Sequence, residues 1–248
     1  MKDAPNPNKV VVFSGAGLSQ ASGLPTFRDS LGLWQQYDVL QLASPIGFAK
    51  NPELVHQFYQ ERRLRAHQAK PNAAHLAIAA LEQHYEVVVV TQNVDDLHER
   101  AGSSQVIHLH GKLNELRQTR APYVVYPVDD QVFTEDSTAP DGMPWQPKQW
   151  RPNVVWFGEQ VPFLTKAGEH LRDAGKVMVV GSSLEVEPAA SLLSYCRQRA
   201  AKYFVDLTAR HCPTGFYLWQ GPAIEQVPKL VNSWLNSVQV DNSLNEVS

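Results

Sequence analysis

The chain has 248 residues, 43% hydrophobic and 19% charged, with a formal net charge of −3, enough apolar material for a substantial globular core. A pI near 6.3 argues against a nucleic-acid or anionic-membrane partner, and the apolar run Val87-Val88-Val89-Val90 falls far short of the roughly 20 residues a membrane span needs. Two cysteines, Cys196 and Cys212, exclude a disulfide framework and a four-cysteine zinc site, and with no apolar signal region before Val10 a cytoplasmic protein is expected.

Strands are expected at residues 9–13, 86–91, 106–109, 176–181 and 202–206. Their lack of polar alternation is that of strands covered on both faces. Between them, Asn72 is expected to cap a helix carrying Ala74, Ile78 and Leu81, and Pro188 to open one running to about residue 200. Such strand–helix alternation predicts an α/β protein with a Rossmann-like, doubly wound parallel sheet. Two stretches break it. Residues 35–70 read as helical, with starts at Ser44-Pro45 and Pro52; residues 118–150 hold five prolines, a short strand candidate at 123–126 and an acidic loop at 129–141. These form a smaller, discontinuous domain of residues 35–70 and 118–150, set into a larger one of residues 1–34, 71–117 and 151–240. The polar tail is expected to fray from about Ser237, with 241–248 disordered.

The first strand runs into Ser14-Gly15-Ala16-Gly17-Leu18-Ser19. Glycines there permit a sharp turn and close approach of backbone to a phosphate. Yet Gln20 stands where G-x-G-x-x-G requires its third glycine, and Trp34-Gln35-Gln36-Tyr37 offers no acidic ribose partner, which disfavours an ordinary dehydrogenase.

Five strings, in order, are GAGLSQASGLPTFR at 15–28, TQNVDDLH at 91–98, HLHG at 108–111, RPNVVWFGE at 151–159 and GSSLEVEPAA at 181–190. Together they closely resemble the motifs of the sirtuins, the NAD-dependent protein-lysine deacylases, and the resemblance extends over roughly residues 9–235. It implies NAD as cofactor, an acylated-lysine protein or peptide as substrate, and a distribution of roles. Gly15, Ala16, Gly17 and Ser19 would form the phosphate loop through backbone N–H groups and a hydroxyl. Phe27 and Arg28 would shield the reacting ribose from water, and Asn93 and Asp95 would hold the nicotinamide amide and ribose. Gly181, Ser182 and Ser183 would meet the adenosine side, with Asp206 at a position the family usually gives to Asn. Thr26, Trp34, Gln92, Leu207 and Ala223 complete the cofactor set. His110 would be the general base, as an imidazole titrating near neutrality; on residue type alone, His98 and His108 compete for that role. Val155 and Phe157 would pair with the substrate peptide through backbone groups.

The chain departs from the family in its small domain. Gln118 stands where the first zinc-ribbon cysteine is expected, and residues 118–150 hold neither cysteine nor histidine. Tetrahedral zinc has no ligands there, so no metal is expected, and packing by Tyr123, Val125, Tyr126, Val132, Phe133 and Trp145 is the expected substitute. In addition, Tyr59 and Arg62 lie three apart on one helical face. This Tyr-x-x-Arg pattern resembles the acid-acyl pocket of sirtuins that remove succinyl and malonyl groups, with Ala43 at the position those enzymes keep small. Rival readings of the same pocket are mono-ADP-ribosyl transfer, NAD hydrolysis, or a non-catalytic sensor of NAD or ADP-ribose.

Overall fold

A computed structural model describes residues 4–26, 39–208 and 212–245, with side chains to 237. Strand β1 (Asn6–Ser14) places Val10, Val11, Val12 and Phe13 wholly out of solvent. It pairs in parallel with β2 (Glu86–Thr91) on one side and with β7 (Ala174–Val180) on the other. A strand so flanked has no polar face, hence the unbroken valines. With β3 (Val106–His108), β8 (Ala201–Asp206) and β9 (Tyr217–Gln220), these strands form a six-stranded parallel sheet of order β3-β2-β1-β7-β8-β9.

Each face carries its own core. Val10, Val12, Val87, Val89 and Met178 pack under Ala74 and Ile78 of α5 (Ala73–Ala80) and Val227, Leu230 and Trp234 of α8 (Ala223–Asn245). Val11, Phe13, Val88, Val90 and Val179 pack under Ala167 and Leu171 of α7 (Leu164–Asp173). A fully buried aliphatic or aromatic side chain contributes about 1.5–3 kcal/mol, so this doubly covered sheet is a firm base for the loops at its carboxyl ends. Those loops follow Ser14, Thr91, His108, Val180 and Asp206, where ligands bind in open α/β sheets.

Ahead of α5 in the chain come α2 (Val39–Leu42), α3 (Pro45–Lys50) and α4 (Pro52–Gln68). Their starts follow ordinary chemistry. Ser44 Oγ accepts from Gly47 N at 3.0 Å and Asn51 Oδ1 from Leu54 N at 3.0 Å, each with proline just inside the helix. Asn72 caps α5 in the same way.

The small sheet has order β5-β4-β6, all antiparallel, with β4 at Gly111–Gln118, β5 at Val125–Pro127 and β6 at Trp150–Val154. Its strands thus begin at Gly111 and end at Val154, reaching into segments expected to belong to the larger unit. Its core differs from the expected one. Leu116, Val128, Ala139, Trp145 and Trp150 are buried, Phe133 stacks on Trp145 at 4.5 Å and Tyr126 meets Trp150 edge-on at 5.3 Å. Tyr123, Val125 and Val132 are exposed instead, because β5 is a three-residue edge strand and Tyr123 covers the Arg117 guanidinium at 5.1 Å.

Two further expectations are corrected. The helix from Pro188 reduces to a 3₁₀ turn at Ala190–Tyr195. The Ser194 hydroxyl occupies the Ser191 carbonyl at 2.7 Å, and Ser191 bonds back to Glu187, local bonds that compete with an α-helical ladder. Helix α8 runs past Ser237 to Asn245, since no glycine or proline interrupts that stretch. Among the described residues, no helix is long and apolar enough to cross a membrane.

Candidate active site

The loop after β1 and the loop after β7 touch backbone to backbone. Gly15 N donates to Val180 O at 3.1 Å and Gly17 N to Gly181 O at 2.9 Å. A Cβ on Gly15 would lie 2.7 Å from Gly181 O, one on Gly181 would lie 2.2 Å from Leu18 N, and Gly181 has φ +65°; only glycine fits both positions. The Gly17 amide is committed to Gly181, and the short helix α1 (Ala16–Gln20) starts on top of that contact.

Ser19 ties this loop to the one after β2. Its hydroxyl is buried, donates to Asp95 Oδ2 at 3.0 Å and accepts from Asn93 Nδ2 at 3.1 Å. Asn93 Nδ2 also reaches Gly15 O at 3.1 Å, and Leu97 N donates to Asp95 Oδ1 at 3.2 Å. Burial pushes the Asp95 carboxyl above the usual carboxylate range, against the pull of Leu97 and Ser19. On the other side Ser182 Oγ donates to Gln92 Oε1 at 2.9 Å, which leaves Gln92 Nε2 buried and without a partner.

Hydrogen-bond partners separate the three histidines. His98 is buried, with Nε2 2.9 Å from Ser14 Oγ and its ring edge-on to His75 at 5.0 Å. Burial lowers its pKa to about 3 and that of His75 to about 4; both are neutral core groups. His108 places Nδ1 2.9 Å from the Asn93 carbonyl and Nε2 2.9 Å from Glu99 Oε1, which Lys112 Nζ also meets at 2.9 Å. Both ring nitrogens of His108 are thus engaged by neighbouring groups, and neither faces the cavity as a free base. His110 has Nδ1 3.1 Å from the Gln92 carbonyl. A carbonyl only accepts, so Nδ1 carries the proton and Nε2 keeps its lone pair. Burial lowers the His110 pKa, opposed by the Gln92 carbonyl, and the neutral ring prevails at neutral pH. Gly111, at φ +78°, makes the turn that follows; a Cβ there would lie 2.0 Å from Asn153 O.

All these loops face one cavity of about 590 Å³. Every expected site residue within the described residues lines it: Gly15, Ala16, Gly17, Ser19, Thr26, Gln92, Asn93, Asp95 and His110; Gly181, Ser182, Ser183, Asp206, Leu207 and Ala223; and Ala43, Tyr59, Arg62, Val155 and Phe157. Phe27, Arg28 and Trp34 lie outside the described residues. Asp206 Oδ1 accepts from Thr208 N at 2.8 Å and Thr208 Oγ1 at 3.2 Å. Arg65, Leu113, Trp156 and Glu159 also line the cavity, beyond the residues expected. The three-residue step from Arg62 to Arg65 on α4 is a sequence signal for the first; Leu113, in an irregular strand pattern, has none.

Tyr59 is buried, and its oxygen accepts from Trp156 Nε1 at 3.0 Å. Burial pushes its hydroxyl pKa up to about 12. Arg62 is half-buried with its guanidinium 5.5 Å from the Phe58 ring centroid, whereas Arg63 turns to the opposite side and donates to the Gln131 carbonyl. The backbone of residues 155–157 is less available than expected. Val155 N donates to His110 O at 2.9 Å, Trp156 N to Glu159 Oε2 at 2.8 Å and Phe157 N to Ala43 O at 3.0 Å. Pairing with a peptide through these N–H groups requires them to leave those partners.

A doubly wound parallel sheet, a small antiparallel sheet beside it, and a cavity holding a buried Asn–Asp pair and a neutral histidine define a dinucleotide-binding α/β enzyme. Residues 15–188 match the model of the Sir2 family, and the chain belongs to that family. It is 42% identical over 228 residues to an NAD-dependent protein deacylase of Helicobacter pylori, covering 90% of this chain and 97% of that one. It is similar to a solved Sir2 homolog–NAD complex at a TM-score of 0.81 and 37% identity, covering 92% of this chain and 90% of that chain. It is also similar to Sir2Tm bound to a propionylated peptide, at a TM-score of 0.74 and 31% identity, covering 90% of this chain and 92% of that chain.

Proposed function

We propose that this chain is an NAD-dependent protein-lysine deacylase whose general base is His110. The observation that supports this most is the His110 tautomer: the Gln92 carbonyl fixes the proton on Nδ1, and the ring lines the cavity with Nε2 as its basic atom. The cavity's donor set suits NAD, since Gln92 Nε2 is a buried donor without a partner and Asn93 and Asp95 are preset by Ser19. When bound, NAD supplies a nicotinamide–ribose bond whose cleavage leaves a ribose carbon open to the acyl oxygen of a modified lysine. Asn93 and Asp95 would orient the nicotinamide end, and His110 Nε2 would accept the proton of a ribose hydroxyl. Burial, which keeps that nitrogen unprotonated at neutral pH, supports the role. The products are nicotinamide, deacylated lysine and O-acyl-ADP-ribose.

Tyr59 and Arg62, on one face of α4 beside Ala43, extend the reading to carboxylated acyl groups such as succinyl and malonyl. A guanidinium offers paired donors to a carboxylate, and a phenol adds one more. A cytoplasmic location fits the two unbridged cysteines. Mass spectrometry of acetyl-, succinyl- and malonyl-lysine peptides incubated with protein and NAD tests the whole reading. Free lysine together with acylated ADP-ribose is expected. ADP-ribosylated protein, or ADP-ribose released without deacylation, would overturn it.

A further inference from the structure

The hydroxyl of Tyr59 does not stand alone. Its oxygen accepts the indole N–H of Trp156 at 3.0 Å, and that indole is fixed from two sides. The Arg151 guanidinium lies 3.4 Å above the ring centroid, the close limit of a cation–π contact. Glu159 then locks the guanidinium and the Trp156 backbone together. Its carboxylate accepts from Arg151 Nη1 at 2.6 Å, Arg151 Nη2 at 2.9 Å, Arg117 Nη2 at 3.4 Å and Trp156 N at 2.8 Å. Arg151 Nη2 also donates to the Val154 carbonyl at 2.8 Å, and both Arg151 and Trp156 are buried. A fork-to-fork arginine–carboxylate pair of this kind is geometrically stiff.

A phenol hydrogen lies in the ring plane and has two positions. An N–H donated to the oxygen from one side leaves the other side for the hydroxyl hydrogen, and it polarises the O–H toward donation. We infer that Trp156, clamped by Arg151 and Glu159, is a positioning residue that aims the Tyr59 hydroxyl into the cavity and so sets selectivity for carboxylated acyl groups. This rests on Tyr59 and Arg62 being the acid-acyl site. Trp156 touches Tyr59 and works through it. Replacing the indole by another aromatic ring removes the N–H while filling most of the space, so the hydroxyl loses its fixed direction.

The test is a kinetic double-mutant cycle on the full chain with NAD, using succinyl-lysine and acetyl-lysine peptides of one sequence. Trp156→Phe is expected to lower the ratio of desuccinylation to deacetylation efficiency by about two- to tenfold, the range of one neutral hydrogen bond. The loss should appear in KM for the succinylated peptide. Trp156→Phe added to Tyr59→Phe should lower the ratio no further, because the group it aims is gone. Additive losses in the cycle, or equal losses on both peptides, overturn the proposal. Should Trp156→Phe fail to fold, Arg151→Lys, which breaks the fork and the ring contact but keeps the charge, is read in the same cycle with the same criteria. Arg62→Met is run alongside. Equal losses there on both peptides would remove the acid-acyl reading itself, whereas a selective Arg62→Met beside an unselective Trp156→Phe would remove only the positioning role.

Discussion

The two ends of the cavity are built by different physics. At the histidine end, loops spring from the adjacent strands β3, β2, β1 and β7 of a sheet covered on both faces, and their polar groups satisfy one another across the strand ends: Gly17 with Gly181, Ser19 with Asn93 and Asp95, Gln92 with Ser182 and His110. At the acyl end, Tyr59 and Arg62 project from one helix, and Trp156 follows a strand of a three-stranded sheet whose core rests on two tryptophans. The first arrangement couples many segments, so a change there disturbs several groups at once. The second concentrates its chemistry in a few side chains held by a local clamp.

Removing the base should separate the two ends most sharply. His110→Ala is expected to lower deacylation of every acyl peptide by about 10²–10⁴-fold, the usual worth of a positioned base, while NAD still binds by calorimetry. His108→Ala should act through stability, because it unties Glu99 and the Asn93 carbonyl. A rate lost in His108→Ala and kept in His110→Ala would show that the base is misassigned. The lowered pKa of His110 also predicts that kcat/KM is maintained as pH falls through 6.5 and declines only below it.

The small sheet offers the next largest effect. Trp150→Ala removes a fully buried indole from a core of few residues and should cost about 3–5 kcal/mol. The expected sign of separability is hydrogen exchange that rises in β4–β6 and stays protected in β1, β2 and β7. Uniform loss of protection would mean that the two sheets unfold as one unit.

Acid should strike the other end first. His75 and His98 bind protons more weakly folded than unfolded, with pKa lowered by burial to about 4 and about 3; His56, His110 and His170 share the direction. For His75 and His98 the stabilisation is complete above about pH 6.5 and is lost as pH falls toward the folded values, at about 1.4 kcal/mol per pH unit for each of the two. Glu99, lowered to about 2 by His108 and Lys112 in spite of burial, acts in a separate window between about pH 4.5 and 2. Urea midpoints between pH 6.5 and 5 therefore isolate the histidines. The slope there should shrink in His98→Gln, and an unchanged slope would refute this account.

Much of the coupled end was legible in the chain itself. Val10–Phe13 and Val87–Val90 read as strands because burial on both faces leaves a purely apolar run, and Asn72 read as a cap, with Ser44-Pro45 and Pro52 as helix starts, because capping partners lie within three residues. Strand β9 escaped notice because it is a half-exposed edge strand, with Tyr217 two-thirds exposed. On residue type alone His98, His108 and His110 were not told apart, because what distinguishes their rings is acceptors from other loops, the Gln92 carbonyl for His110 and Glu99 for His108. The engaged amides of Gly17 and Phe157 were hidden likewise, since Gly181 and Ala43 meet them only in the folded chain. Local rules reach capping and burial; partnerships between distant loops come from the tertiary fold.

The smallest effect is the most specific to the separable end. Arg62 is half-buried beside Tyr59, with Phe58 beneath its guanidinium. Burial lowers its pKa while Tyr59 and Asp95 pull the other way, and even so an arginine stays charged at working pH. A carboxylated acyl chain entering past Ala43 would meet a fixed cation and a hydroxyl with little competing water. Hydrogen bonds to charged groups contribute roughly 1.5–3 kcal/mol, about ten- to hundredfold in efficiency. Arg62→Met keeps the length of the stem and removes the charge. It should therefore lower the ratio of desuccinylation to deacetylation by that factor, measured as kcat/KM on paired peptides. Equal losses on both would mean that Arg62 supports helix α4 and the cavity wall, and acyl selectivity would have to be sought in Arg65, the next cation along the same wall.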